Sequence, residues 1–200
     1  MYPESIEPST KSVLDKIADT EIARPFYLAG GTALAVHLGH RISIDLDFFT
    51  PEHFAVVSLR DNLAALGTLT VTSESEDGTF NGILNGVSVS FFIYPVIPFA
   101  GISLADERDI AAMKIDAVSS RGSKKDFIDI YFLLEKYHLQ ELIGFFETRF
   151  CNIQYNKLHI LKSLSYFENA EEEAMPKMIK AVSWDEVKRK ISQEAKKLTV

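Results

Sequence analysis

The sequence predicts an α+β protein, with a mixed β-sheet and flanking helices over residues 1–100 and a helical region over residues 101–200. Three observations carry this. Runs with period-two alternation, and the hairpin signals Asp77-Gly78 and Asn85-Gly86, crowd into the first half. Beyond Ala100 no strand pattern recurs and helical spacing takes over. The 200 residues are 46% hydrophobic and 24% charged, an ordinary globular balance that excludes collagen-like and disordered classes.

Residues 9–23 carry Val13, Leu14, Ile17 and Ile22 at helical spacing and stop at Arg24-Pro25. Residues 26–29 read as a short buried strand, Gly30-Gly31 as a turn, and residues 32–38 as a helix capped by Thr32 and closed by Gly39. Over residues 43–49, Ser43, Asp45 and Asp47 alternate with Ile44, Leu46 and Phe48, the pattern of a strand with one acidic and one apolar face. A helix over 53–66 and strands over 69–73, 79–84 and 87–94 complete the sheet, which Pro95 and Pro98 end. Helices follow over 107–120, 124–137, 139–150, 157–166, 176–182 and 184–198. Ser183 and Glu186 form a capping box for the last, and the acidic run 171–173 reads as a solvated helix start.

Basic and acidic residues number 21 and 28, a net charge of -7 that excludes a generic nucleic-acid coat. Residues 152–200 hold 9 basic and 7 acidic groups, so an RNA contact would need a local patch such as this segment. The single cysteine, Cys151, excludes a disulfide framework and Cys-rich zinc modules and reads as a buried small hydrophobe. The acidic, proline-bearing N-terminus lacks an export signal, and the longest apolar stretches fall far short of the ~20 residues that span a bilayer. The expectation is a cytoplasmic protein with no membrane contact.

Four features bear on chemistry. On a strand, Asp45 and Asp47 share a face about 6.6–7 Å apart, which suits a hard divalent cation and equally suits a strand's polar side. Gly30-Gly31-Thr32 joins a strand to a helix start, where backbone N–H groups and the helix dipole favour an anion; an ordinary tight turn is the alternative. Lys114 falls inside the stripe Ile110, Met113, Ala117, so it either faces inward toward an anion or snorkels at the stripe's margin. Asp126, Asp129, Ile130 and Leu133 share one helix face. Asp126 has a local role available as the partner of Ser123 in a Ser-x-x-Asp box, whereas Asp129 lies a full turn further in. Arg121, Lys124 and Lys125 stand nearby as partners for these acids or for a phosphate.

Residues 30–50, GGTALAVHLGHRISIDLDFFT, and residues 110–134, IAAMKIDAVSSRGSKKDFIDIYFLL, resemble the nucleotidyltransferase AbiEii/AbiGii toxin family. These are DNA polymerase beta-like nucleotidyltransferases, toxins of type IV toxin-antitoxin and abortive-infection systems. Residues 167–178 and 183–191 are similar to the family's closing helices. The resemblance implies a polymerase beta-like sheet, with residues 101–200 completing the active site. It implies that Gly30, Gly31 and Thr32 meet a nucleoside triphosphate, that Arg41 and Ser43 support the site, and that Asp45 and Asp47 bind Mg²⁺. Lys114, on triphosphate oxygens, and Asp129, at the acceptor, would be the family's helix-borne lysine and aspartate. The implied reaction moves a nucleoside monophosphate to an acceptor hydroxyl of RNA such as tRNA, or of protein, and a cognate antitoxin is the implied partner.

One position departs from the superfamily pattern. A third carboxylate normally stands on a later strand, and residues 86–94, GVSVSFFIY, offer Ser88, Ser90 and Phe92 instead. Glu74, Glu76, Asp77, Asp126 and Asp129 are the candidate replacements. The competing expectation is therefore a nucleotide- or antitoxin-binding module without transfer activity.

Overall fold

The computed structural model describes residues 1–99, 103–152 and 154–198, and the chain divides into two compact units, Met1–Glu107 and Arg108–Val200. The boundary expected at residue 100 falls among residues 100–102, outside the described residues.

The first unit is a five-stranded mixed sheet with helices. After a 3-10 turn at Pro3–Ser5 come α1 (Pro8–Ala18), a second 3-10 turn (Glu21–Ala23), β1 (Tyr27–Leu28), α2 (Gly30–Leu38), β2 (Leu46–Thr50), α3 (Val56–Ala65), β3 (Leu69–Ser75), β4 (Thr79–Leu84) and β5 (Val87–Ile93). The helix expected over residues 9–23 is thus shorter, because Thr20 donates its hydroxyl to Ile17 O at 2.6 Å and closes it. The sheet order is β1-β2-β5-β4-β3; β2 and β5 run parallel and every other pair is antiparallel. At the β4–β5 hairpin Asn85 and Gly86 both adopt positive φ, 51° and 82°, matching the strand twist as Asn-Gly predicts. One sheet face buries Leu46, Phe80, Leu84, Val89 and Phe91 completely, with Phe48 stacked on Phe91 at 4.7 Å between ring centroids.

The other face carries a polar row beside the Phe49–Phe92 ring pair. Asp47 is in register with Ser90, Ser90 with Asn81, and Asn81 with Ser73, to which the Asn81 amide donates at 2.9 Å. Paired residues share a face, so this row crosses four strands.

The second unit is helical: α4 (Glu107–Ser120), α5 (Lys124–Leu133), α6 (Leu139–Arg149), α7 (Lys157–Ser163), α8 (Glu168–Glu171) and α9 (Trp184–Lys197). The capping box of α9 forms as expected, with Glu186 N–H on the Ser183 hydroxyl and Ser183 N–H on the Glu186 carboxylate. Val187, Ile191 and Ala195 bury its apolar stripe, and α9 packs on α5. No helix forms over residues 176–182. The Lys124 ammonium binds the carbonyls of Glu171 and Glu173, and the Glu173 carboxylate accepts the Lys124 N–H at 2.8 Å, so the chain after α8 is tied across the start of α5. A seven-residue helix is marginal on propensity alone. The run 171–173 is accordingly the exit of α8 and not a helix start. Cys151 is exposed in the turn after α6, not buried. Among the described residues, no helix is long and apolar enough to cross a membrane.

The core of this unit contains an ionic cluster. Lys114, 6% exposed, lies in the middle of a buried face with Ile110, Ala111, Ile115 and Val118, while Met113 and Ala117 flank it half-buried. Its ammonium meets Asp126 at 2.8 Å and Asp129 at 2.7 Å, both carboxylates fully buried. Asp126 also accepts from Arg121 at 2.8 Å and from the Ser123 hydroxyl at 2.6 Å, so Ser123 serves this carboxylate instead of capping α5. Burial alone would push the Asp126 carboxyl up; Lys114 and Arg121 outweigh it and hold the group well below the usual carboxylate range. A lowered folded-state pKa stabilises the fold above the unfolded value of about 3.9, and that contribution is lost as pH falls through and below it. Asp126→Asn is therefore expected to cost about 3 kcal/mol at pH 7, by leaving Lys114 half-compensated in the core. Thermal melts from pH 7 to pH 3 should show a shallower acid limb in the variant than in the wild type; parallel limbs would contradict the assignment.

Candidate active site

The site is built where β1 gives way to α2. Ala29 is extended, and its N–H donates to Asp47 O at 2.8 Å, which fixes the turn to β2. Gly30 follows with φ +59° as the first residue of α2. A Cβ built on Gly30 would overlap the Asp47 carboxylate, so only glycine permits both this backbone and this approach. Gly30 and Gly31, expected as a turn, instead open the helix. Ala29 supplies no side-chain cap to the first turn, and the positive end of the helix dipole lies beside the Asp47 carboxylate.

Thr32, expected as that cap, is the helix's third residue and is 1% exposed. Its hydroxyl donates to Asp45 O and lies 2.8 Å from the Ser43 hydroxyl. A guanidinium only donates, so Arg41 gives Nη1–H to Ser43 Oγ at 3.3 Å, Ser43 donates to Thr32, and Thr32 donates to the Asp45 carbonyl. Arg41, 3% exposed, also reaches Gly31 O at 3.5 Å. Gly31, Thr32, Arg41, Ser43 and Asp45 are thereby joined by one directed chain of hydrogen bonds.

The strand expected over residues 43–49 begins only at Leu46. Ser43 is 4% exposed and Ile44 is 60% exposed, the reverse of the expected alternation, which holds only from Asp45 onward. The reason is a change of neighbour. Ser43 forms a parallel bridge with Ile6, its N–H donating to Ser5 O at 2.8 Å and its carbonyl accepting from Glu7 N–H at 3.0 Å, before the chain joins the sheet. Asp45 and Asp47 stand half-exposed on either side of fully buried Leu46.

The Asp47 carboxylate against a glycine-opened helix start, with half-exposed Asp45 two residues before it, is a donor set that would suit a hard divalent cation. No third acid joins them: Ser90 occupies the register position beside Asp47, and among the described residues no group of three or more His, Cys, Asp or Glu side chains is arranged to hold a metal. Glu74 pairs in register with buried Phe80 and binds Arg60 at 2.9 Å, on the opposite face of the sheet. A pocket lined by Leu14, Arg24, Phe26 and Phe48 also lies away from this site. Lys114 and Asp129 are brought together in the second unit by the cluster described above.

Sequence reasoning missed Thr10, whose hydroxyl donates to Ile44 O at 3.0 Å, and missed the row Ser90, Asn81, Ser73. Thr10 left a signal, a hydroxyl on the same helical stripe as Val13 and Ile17. The row became visible only with strand register.

A family model described as nucleotidyl transferase AbiEii toxin, type IV TA system, matches residues 12–80, which span this site. An uncharacterized protein of Aquifex aeolicus (strain VF5) is 38% identical over 204 residues, covering 94% of this chain and 97% of the relative. Among solved structures, the nucleotidyltransferase toxin MenT4 of Mycobacterium tuberculosis H37Rv is similar with a TM-score of 0.55 at 15% identity, over 92% of this chain and 80% of that one, which shows a shared α+β nucleotidyltransferase fold. Sequence and fold thus agree: residues 12–80 match the AbiEii family of nucleotidyltransferase toxins of type IV toxin-antitoxin systems, and the fold is that of a nucleotidyltransferase toxin.

Proposed function

We propose that this protein transfers a nucleoside monophosphate from an NTP to a hydroxyl of an RNA acceptor such as tRNA, or of a protein, in the cytoplasm and under control of a cognate antitoxin. The observation that carries the reading is the glycine-opened start of α2 lying against the Asp47 carboxylate, with the Asp45 carbonyl linked to the same helix through Thr32.

In this reading the N–H groups of Gly30, Gly31 and Thr32 receive triphosphate oxygens, Arg41 and Ser43 hold the turn, and Asp45 and Asp47 hold Mg²⁺. The bound cation offsets charge on the triphosphate and on the leaving oxygen. The acceptor oxygen bonds to the α-phosphorus as the bond to the bridging oxygen breaks and pyrophosphate leaves. Asp129 positions the acceptor or takes its proton, and Lys114 contributes positive charge toward the triphosphate. Both are ion-paired at rest, so either role requires that pair to open. The register of Ser90 with Asp47 favours a second reading, in which nucleotide binds and no transfer follows.

Calorimetry with ATP, GTP, CTP and UTP, with and without Mg²⁺, is expected to show each ligand tightening the other, because carboxylates and triphosphate repel until a cation bridges them. Tight Mg²⁺-dependent binding with no labelled product on total RNA or lysate protein would select the second reading; absence of binding would reject both. Asp47→Asn is expected to abolish transfer while leaving the melting temperature unchanged or higher. Gly30→Ala is expected to lose about 1–3 kcal/mol together with activity, from backbone strain and displacement of Asp47. Lys114→Met removes a cation shared by two buried carboxylates, Asp126 keeping Arg121 and Ser123, and so lowers stability as well as transfer, whereas exposed Lys136→Met should alter neither.

A further inference from the structure

Residues 43–45 reach the sheet without belonging to it, and packing does not locate the middle one, since the Ile44 side chain is mostly in solvent. Hydrogen bonds do. The three successive carbonyls each accept one: Ser43 O from Glu7 N–H, Ile44 O from the Thr10 hydroxyl, and Asp45 O from the Thr32 hydroxyl. Thr10 is 1% exposed at the third position of α1, where a threonine ordinarily serves its own helix start. Its hydroxyl is committed instead to a carbonyl far away in sequence. The segment before β2 is thus gripped from one side by the N-terminal residues and from the other by α2.

We propose that Thr10 is a positioning residue for the metal-binding carboxylates: with the Glu7 amide it holds residues 43–45 in the path that sets Asp45 beside Asp47. The inference rests on the reading of Asp45 and Asp47 as a divalent-cation site. Thr10 touches neither metal nor nucleotide; it acts through the Ile44 carbonyl, one peptide from Asp45. Partners of this kind usually change metal affinity 10–100-fold when removed.

The test compares Thr10→Val, which keeps shape and removes the donor, with Thr10→Ser, which keeps the donor. Free Mn²⁺ is read by electron paramagnetic resonance, and deuterium uptake is followed in peptides covering residues 40–48 and the β4–β5 hairpin. Thr10→Val should weaken Mn²⁺ binding about ten-fold or more and speed uptake over residues 40–48 while the hairpin stays protected, and Thr10→Ser should restore both. Glu7→Pro supplies a second probe should the valine variant fold poorly. Glu7 already has φ -56° and ψ 139°, which proline adopts, so the change keeps the backbone path while removing the N–H that Ser43 O accepts together with the Glu7 carboxylate. Wild-type Mn²⁺ affinity in both Thr10→Val and Glu7→Pro, or a serine variant as impaired as the valine, overturns the clamp. A wild-type protein that binds no Mn²⁺ overturns the cation site and this role with it, and is told apart because the uptake difference over residues 40–48 then persists.

Discussion

The volume that a side chain at residue 30 would need is filled by the Asp47 carboxylate, and much of the first unit follows from that exclusion. With glycine there, α2 can start directly against β2, its dipole directed at an acid, and the Ala29 amide can reach Asp47 O. The same proximity lets Thr32, one turn into the helix, reach back to the Asp45 carbonyl and lock the approach to the strand. A longer connection between β1 and α2 would satisfy the backbone as well, but it would separate the amides from the carboxylates.

The second unit solves a different electrostatic problem. Three charges sit inside its core where hydrocarbon would pack at lower cost, and breaking up such a group is far more damaging than never having it. The arrangement works because Asp126 takes four donor contacts from Lys114, Arg121 and Ser123, leaving little unmet hydrogen-bonding capacity. Arg121 is the asymmetric member, its side chain 62% exposed, so the cluster is anchored at the surface through one flexible group.

What was legible in the sequence was governed by local rules. The Asn85-Gly86 hairpin, the bounds of β4 and α4 and the Ser183 capping box depend on neighbours within a few positions, and they formed as expected. Thr32 illustrates the limit: its position favours a helix cap, yet a carbonyl thirteen residues away accepts its hydrogen bond. Ser43 and Ile44 misled for the same reason, because the pleat is set by whichever strand lies alongside, and there it is the N-terminal segment at Ile6. Residues 176–182 have helical composition and form no helix. The helical stripe offered an inward-facing Lys114 as one of two readings, whereas its pairing with both acids, and Ser90 beside Asp47, needed the packed structure.

The parallel pairing of β2 with β5 also sets an order of assembly. The hairpin β4–β5 and its partner β3 are sequence neighbours and can form as soon as they are synthesised, while β2 must wait for β5 before it gains its central ladder. Until then Asp47 has no strand alongside on that side, and the turn at Ala29 has nothing fixed to bond. A ribosome-bound chain therefore carries every one of its N-terminal site residues long before it carries a site, and the last strand of the sheet to emerge is the one that assembles it.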